Sequence, residues 1–245
     1  VLFTDICGFS AWSFERQPEQ VFLLLENVFQ NFDKIARKRA VFKVETVGDS
    51  YVAVTGLPEP QADHAVRMTR FARDCLSRAN DVTRSLEATF GPDTGDLRFR
   101  FGLNSGQVTA GVLRGEKARF QLFGDTVNTA SRMESTGQGN RIQLSMSTAE
   151  LLIQAGKEEW IHLRHDPVFV KGKGVVKTYW AIHHASDDMS LRTRSSGVGS
   201  SVGFGDTEDS DDAKVTGFCD EKDMWGEDDR GDKGVFTLPP LTKVS

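Results

Sequence analysis

Residues 119–137, RFQLFGDTVNTASRMESTG, restrict the local structure more than any other part of the chain. The alternation before the glycine predicts a short strand, and the spacing after it predicts an amphipathic helix. Asp125 or Thr126 can cap that helix, and Ser147 can cap a short helix later in the chain. Asn128 and Arg132 are four residues apart, so both project from one helix face. This amide and guanidinium could hold one ligand at two points, and arginine suits an anionic phosphoryl group.

Two further stretches each carry an aspartate at a position suited to a cation. Residues 3–10, FTDICGFS, place Asp5 in a turn after a buried-strand pattern, and apolar spacing predicts a helix from Pro18 to about Arg39. Residues 42–54 alternate as a hairpin with Gly48 and Asp49 at its turn. A carboxylate beside a turn rich in backbone N–H groups can hold a cation and a phosphate. Taken singly, such an aspartate is more often structural.

Together the three stretches resemble the catalytic domain of the class III nucleotide cyclases, the adenylyl and guanylyl cyclases. The resemblance runs from Val1 to about His184 and is closest to the receptor-type guanylyl cyclases. Alternating strands and helices by themselves indicate an α/β chain. The resemblance implies more, namely an α/β (α+β) fold with a ferredoxin-like βαββαβ core and added strands.

The resemblance also implies a reaction and the residues that carry it. GTP would be converted to 3′,5′-cyclic GMP and pyrophosphate by attack of the ribose 3′-oxygen on the α-phosphorus. Asp5, Asp49 and the Ile6 carbonyl would hold two Mg²⁺ or Mn²⁺ ions. Asn128 would orient the ribose, and Arg132 would stabilise charge on the α-phosphoryl oxygens. No side chain is identified as a general base.

The triphosphate would be held by a turn and by a basic hairpin. In the resemblance, the turn residues that bind phosphate are Cys7, Gly8, Phe9 and Ser10. Residues 168–174, VFVKGKG, supply Lys171 as the lysine that contacts phosphate. In the polar loop at 114–117, either Arg114 or Lys117 could make a further contact.

The purine base would be read by Glu45 and Gln121, the positions that set specificity in the family. A carboxylate only accepts hydrogen bonds, so Glu45 fits the N1–H and N2 amino groups of guanine and opposes the N1 lone pair of adenine. Gln121 can donate to guanine O6 or accept from adenine N6. The sequence therefore favours GTP, with ATP as the alternative substrate.

Class III sites form between two cyclase domains, so the resemblance implies a homodimer, or a heterodimer with another cyclase domain. Asp5 and Asp49 would act from one protomer, and Glu45, Gln121, Asn128, Arg132 and Lys171 from the other. Because one chain carries both sets, a symmetric homodimer would have two complete sites. The competing interpretations are an adenylyl cyclase, an inactive regulatory subunit, and a binding module in which the acidic tail is the functional part.

The chain carries an uneven charge that divides it into two parts. Residues 187–245 contain 14 acidic and 7 basic side chains, whereas residues 1–186 contain 21 acidic and 23 basic ones. We therefore expect a catalytic domain over 1–185 and an acidic, disordered tail over 186–245. A near-neutral domain with an acidic tail does not indicate nucleic-acid binding.

The cysteines and the first residues of the chain bear on its cellular compartment and on what precedes it. Three widely spaced cysteines form no disulfide or zinc pattern, which fits a reducing compartment. The chain opens on Val1-Leu2-Phe3, in the middle of a strand pattern and without a methionine. We expect a truncated first strand, a missing upstream sensor or membrane region, and a cytoplasmic location as part of a receptor-type cyclase.

Overall fold

The computed structural model describes residues 1–114 and 118–182, which form three sheets and five α-helices. The predicted tail, residues 186–245, and Lys117 lie outside the described residues. The strands are β1 Leu2–Cys7, β2 Phe42–Val47, β3 Ser50–Val54, β4 Arg98–Leu103, β5 Thr109–Leu113, β6 Arg119–Phe123, β7 Arg141–Ser145, β8 Ile161–Leu163, β9 Val168–Val170, β10 Gly174–Val176 and β11 Thr178–Ala181. The helices are α1 Phe9–Phe14, α2 Pro18–Arg39, α3 His64–Phe90, α4 Asp125–Ser135 and α5 Met146–Gln154, with 3₁₀ turns at Pro92–Thr94 and Glu158–Trp160.

The seven-stranded sheet confirms the predicted ferredoxin-like core. Its order is β2-β3-β1-β4-β7-β11-β8. The first four strands, joined through α2 and α3, give the βαββαβ connection, with β1 antiparallel to both β3 and β4. Strands β7, β11 and β8 extend the sheet beyond β4, where β7 runs parallel to β4. These are the added strands expected from the sequence.

The main hydrophobic core lies between this sheet and helices α2, α3 and α5. Helix α2 begins at a capping box with proline in its first turn, and its apolar positions at three- and four-residue spacing are buried. Leu2 and Ile6 of β1 belong to this core. Because side chains alternate along a strand, Asp5 projects from the opposite face of the sheet.

Helix α4 covers that opposite face. It packs against β4 at Gly102, where an added Cβ would come within 1.9 Å of the Glu134 backbone nitrogen. Residue 102 must therefore be glycine for the helix to lie this close. Ala130 of α4 lies in a second cluster with Val1 and Val54. The small β5–β6 and β9–β10 sheets pack against the helix, the first through Leu122 beside Ala130 and the second through Val168 and Val170 beside Met133.

Three local expectations were wrong. Asp5, Ile6 and Cys7 lie within β1 and not in the turn that follows it, because their backbones pair with β4. Neither Asp125 nor Thr126 caps α4: Gly124 is the N-cap residue, and Thr126 instead donates its hydroxyl proton to the Gln107 carbonyl at 2.7 Å.

At α5, Ser145 and not Ser147 is the N-cap residue, and its hydroxyl accepts from the Thr148 N–H. The Ser147 hydroxyl is used elsewhere, since it contacts Asn104 and the Ser105 carbonyl. In each case a tertiary partner takes the hydroxyl that the local sequence assigned to the cap. Among the described residues, no helix has the length and apolar character needed to span a membrane.

Candidate active site

Two carboxylates meet at the end of β1. The hairpin turn between β2 and β3 lies beside this strand end, and the Ser50 hydroxyl donates to Asp5 Oδ1 at 3.2 Å. Burial raises the pKa of Asp49, and the negative charge of Asp5 raises it further, while N–H groups of Asp49 and Ile6 oppose the rise. The structure therefore brings Asp5, Ile6 and Asp49 together, as the sequence predicted.

This donor set fits a hard divalent cation. Two partly buried carboxylates repel each other, and a cation between them would remove that repulsion. Oxygen ligands are the kind that Mg²⁺ and Mn²⁺ prefer. Within residues 1–114 and 118–182, no group of three or more His, Cys, Asp or Glu side chains is arranged to hold a metal. A cation here would thus use the Asp5–Asp49 pair, backbone oxygen, and ligands from water or substrate.

Arg100 and Glu134 belong to this site, although sequence reasoning assigned neither a role. Arg100 of β4 lies opposite Asp5 in the β1–β4 register, and its Nη2 donates to Asp5 Oδ2 at 2.5 Å. Its Nε donates to Glu134 Oε1 at 2.9 Å. Glu134 is 9% exposed; burial raises its pKa, and the Arg100 charge opposes that rise. The alternation of residues 97–103, LRFRFGL, places a charged side chain within a strand pattern and was the available signal, but the partners of Arg100 depend on strand register.

The turn expected to bind phosphate follows directly. Gly8 has φ 75°, which a glycine adopts readily, and the short helix α1 begins at Phe9. Cys7 is half-buried at the end of β1 and, as a free thiol, has its pKa raised by burial. Residues 7–10 therefore adjoin the Asp5 strand end, as the sequence predicted, with Ser10 in the first turn of α1.

The two base-reading candidates lie on strands that approach each other. A β-bulge between Lys43 and Glu45 shifts the β2–β3 register, so Glu45 pairs with Val52, which in turn pairs with Phe3. Directly opposed residues project from the same face, which places Glu45 on the α4 side of the sheet. Gln121 is half-buried in β6, next to Phe120. The ring of Phe120 packs against that of Phe42 on β2, with 5.2 Å between the ring centroids.

Asn128 and Arg132 lie on the exposed side of α4. Glu134, by contrast, projects from the sheet side of the same helix and reaches Arg100. Within one chain, therefore, the amide and the guanidinium share a helix face as predicted, but that face is turned away from Asp5. The described fold does not bring these two groups onto the carboxylate pair.

The lysine hairpin lies beside the first turn of α4. Lys171 is exposed at the β9–β10 turn. Lys173 donates to Asp125 Oδ2 at 2.5 Å and to the Thr129 hydroxyl at 2.8 Å. The hairpin is thus tied to α4 through Lys173. Because Asp125, Thr129 and Arg132 follow one another along one side of the helix, the hairpin lies beside the side that carries Arg132, with Lys171 exposed at its turn. Of the two alternatives in the 114–117 loop, only Arg114 lies among the described residues, and it is exposed.

Comparison with known proteins gives one consistent family. The family model described as the adenylate and guanylate cyclase catalytic domain matches residues 1–183. Atrial natriuretic peptide receptor 2 of Homo sapiens is 43% identical over 183 residues, which cover 74% of this chain. That match spans only 17% of the receptor's length.

Solved structures agree with the fold. The guanylate cyclase domain of RhGC from Catenaria anguillulae in complex with GTP has a TM-score of 0.63 and 40% identity, covering 74% of this chain and 93% of that one. The dimeric guanylyl cyclase domain of the RhoGC fusion protein from Blastocladiella emersonii has a TM-score of 0.60 and 37% identity, with coverage of 74% and 93%. The family match over residues 1–183 and these structural likenesses show that the chain belongs to the adenylate and guanylate cyclase catalytic-domain family.

Proposed function

We propose that the chain converts GTP to 3′,5′-cyclic GMP and pyrophosphate at a site shared between two cyclase domains. The observation that carries the proposal is the Asp5–Asp49 pair, brought together at the end of β1 within a cyclase-family fold. The similar domain from Catenaria anguillulae was solved in complex with GTP.

Asp5, Asp49 and the Ile6 carbonyl would hold two Mg²⁺ or Mn²⁺ ions. Bound there, the ions would supply activation of the ribose 3′-oxygen and neutralisation of the departing pyrophosphate. The chain itself contributes a rigid frame, because Asp5 is fixed within a paired strand and Asp49 sits in a two-residue hairpin turn. The backbone N–H groups of residues 7–10 would hold phosphate oxygens beside that frame.

The exposed face of α4 supports a shared site. Asn128 and Arg132 point away from the carboxylates of their own chain, so we infer that they act on a nucleotide held by the carboxylates of a second copy. Arg132 would stabilise the charge that develops on the α-phosphoryl oxygens, and Asn128 would orient the ribose. Lys171, projecting next to the same face, would hold the terminal phosphates.

Base choice rests on Glu45. Its half-buried carboxylate, turned to the α4 side by the bulge in β2, can accept from guanine N1–H and the N2 amino group. Facing adenine, the same carboxylate would lack a donor, which is costly for a buried charge. Gln121 can hydrogen-bond either purine, so ATP remains the second candidate substrate.

The test is product formation from each nucleotide. The purified chain is incubated with GTP or ATP in the presence of Mn²⁺, and cyclic nucleotides and pyrophosphate are separated by chromatography. We expect cyclic GMP as the main product, and its loss in Asp5→Asn and Asp49→Asn. A preference for ATP would contradict the role of Glu45. Absence of any cyclic product from folded, dimeric protein would favour the inactive regulatory subunit instead.

A further inference from the structure

Arg100 joins two acidic groups, of which only Asp5 has a role in the proposed reaction. Its guanidinium spans Asp5 Oδ2 at 2.5 Å and Glu134 Oε1 at 2.9 Å. The Arg100 side chain is 29% exposed, and those of Asp5 and Glu134 are 21% and 12% exposed. This is a partly desolvated three-charge cluster, in which ionic contacts are stronger than on an open surface.

Close packing of α4 on the sheet holds Glu134 in place. Helix α4 touches β4 at Gly102, two residues after Arg100, and the backbone of Glu134 makes that contact. The carboxylate therefore projects from a helix that packs closely on the sheet. Arg100, which the β1–β4 ladder also places opposite Asp5, is held between a fixed anion and the candidate cation ligand.

We propose that Arg100, anchored by Glu134, is a positioning residue that occupies the cation's place on Asp5 in the metal-free protein. This inference rests on the proposed function, since it takes Asp5 to be a ligand of a divalent cation. Arg100 orients the Asp5 carboxylate, and an incoming cation must displace the Arg100 N–H from Oδ2. Glu134 retains the guanidinium when that happens, so that the positive charge stays compensated.

Substitutions of Arg100 and of Glu134 should then have opposite effects on the affinity for a divalent cation. Arg100→Gln removes both the competitor and a positive charge beside the site, so divalent affinity should rise. Among the described residues, Glu134→Gln leaves Arg100 with Asp5 as its only ionic partner, and it also removes a nearby negative charge, so divalent affinity should fall. If Arg100 merely scaffolded Asp5, both substitutions would disorder the ligand and lower the affinity.

The experiment measures binding of Mn²⁺ alone to the nucleotide-free full chain, from the electron paramagnetic resonance signal of free Mn²⁺. For a unit charge near a divalent ion in a high effective dielectric, we expect a shift in Kd of roughly tenfold: tighter for Arg100→Gln and weaker for Glu134→Gln. Arg100→Lys retains the charge and should stay near the parent. Arg98→Gln, an exposed arginine on the same strand, is the matched control for loss of a positive charge.

Asp5→Asn distinguishes failure of the cation site from failure of the positioning role of Arg100. If Mn²⁺ binding is unaffected by Asp5→Asn, the proposed cation site is wrong, and the role of Arg100 fails with it. If Asp5→Asn abolishes binding but Arg100→Gln and Glu134→Gln shift Kd in the same direction, the site stands and the positioning role is overturned. Circular dichroism and Tm identify any variant that does not fold. Should Glu134→Gln fail to fold, an unchanged or weaker Kd for Arg100→Gln still overturns the proposal.

Discussion

Lys173 donates to Asp125 Oδ2 at 2.5 Å and so ties the β9–β10 hairpin to the first turn of α4. The two lysines of the hairpin are therefore not equivalent. Lys173 is used within the chain, whereas Lys171 is exposed at the turn, next to the helix face that carries Asn128 and Arg132.

Lys171→Met should lower kcat/KM for GTP by roughly 10- to 100-fold, because a charge-assisted hydrogen bond to phosphate contributes about 1.5–3 kcal/mol. Lys173→Met is the matched control. Its partner Asp125 has a side chain that is 73% exposed, and an ion pair this open contributes little to stability. Steady-state kinetics on both variants checks the difference, and equal losses would contradict the assignment of the phosphate contact to Lys171.

Asp5→Ala and Arg132→Ala should each be nearly inactive alone and regain activity when mixed. The expectation follows from the opposite placement of the two groups, one on the sheet and one on the exposed side of α4. A mixed dimer would have one intact site of two, so each heterodimer should have up to about half of the activity of a parent dimer. Activity is titrated at a fixed total concentration, with dimer formation confirmed by sedimentation. A mixed dimer without activity would argue for sites contained within single chains.

Glu45→Lys combined with Gln121→Asp should change the preferred base. The lysine would donate to adenine N1, and the aspartate would accept from N6. Each buried polar contact that is matched or mismatched is worth roughly 1–3 kcal/mol, so two reversals should change the GTP/ATP ratio of kcat/KM by about two orders of magnitude or more. Initial rates on both nucleotides give the ratio. Glu45→Lys alone should lose GTP activity without full ATP activity, since Gln121 fits either base.

The metal-free protein should lose stability with rising pH through Asp49. Its pKa is raised in the folded state, chiefly by burial and then by the charge of Asp5. The protonated form thus favours folding below the unfolded pKa, and this contribution is lost as pH rises through the folded pKa. Asp49→Asn removes the effect. In chelator, the Tm of this variant should match the parent's at acidic pH and exceed it at neutral pH, whereas Mn²⁺ should stabilise only the parent. A constant Tm difference across pH would exclude this linkage.

We propose that catalysis does not require the acidic region, residues 186–245. Deleting residues 187–245 should leave turnover of GTP within a few-fold of the full chain, because every candidate site residue lies at or before Lys171. Full-length and shortened proteins are compared at equal concentrations of folded protein. A collapse in turnover of the soluble shortened protein would make the acidic region part of the catalytic machinery.

Local sequence patterns predicted the elements but not all of the contacts between them. The spacing of apolar residues located α2, and alternation around Gly48 located the hairpin that carries Asp49, because each pattern lies within one element. The contacts of Arg100 with Asp5 and Glu134 join residues 95 and 34 positions apart, so they depend on strand register and helix packing. Those are properties of the assembled fold.

The helix caps and strand β2 also have features that local sequence patterns do not predict. Thr126 and Ser147 have the chemistry of caps, but each hydroxyl bonds a distant partner. The family resemblance identified Glu45, yet alternation alone would have placed residues 43 and 45 on one face. The bulge in β2 reverses the face at Glu45, and no turn or proline in the sequence marks its position.

That bulge makes substrate choice sensitive to strand register as well as to side-chain chemistry. Lys43 lies opposite Ala53 and Glu45 opposite Val52, so Val44 is the extra residue that the ladder accommodates. If β2 slipped so that Val44 lay opposite Val52, Glu45 would move opposite the fully buried Tyr51. Because adjacent positions on a strand face opposite ways, its carboxylate would then turn away from α4. A slip of one residue would therefore remove the base-reading group as completely as a substitution of Glu45, without changing a single side chain of the site.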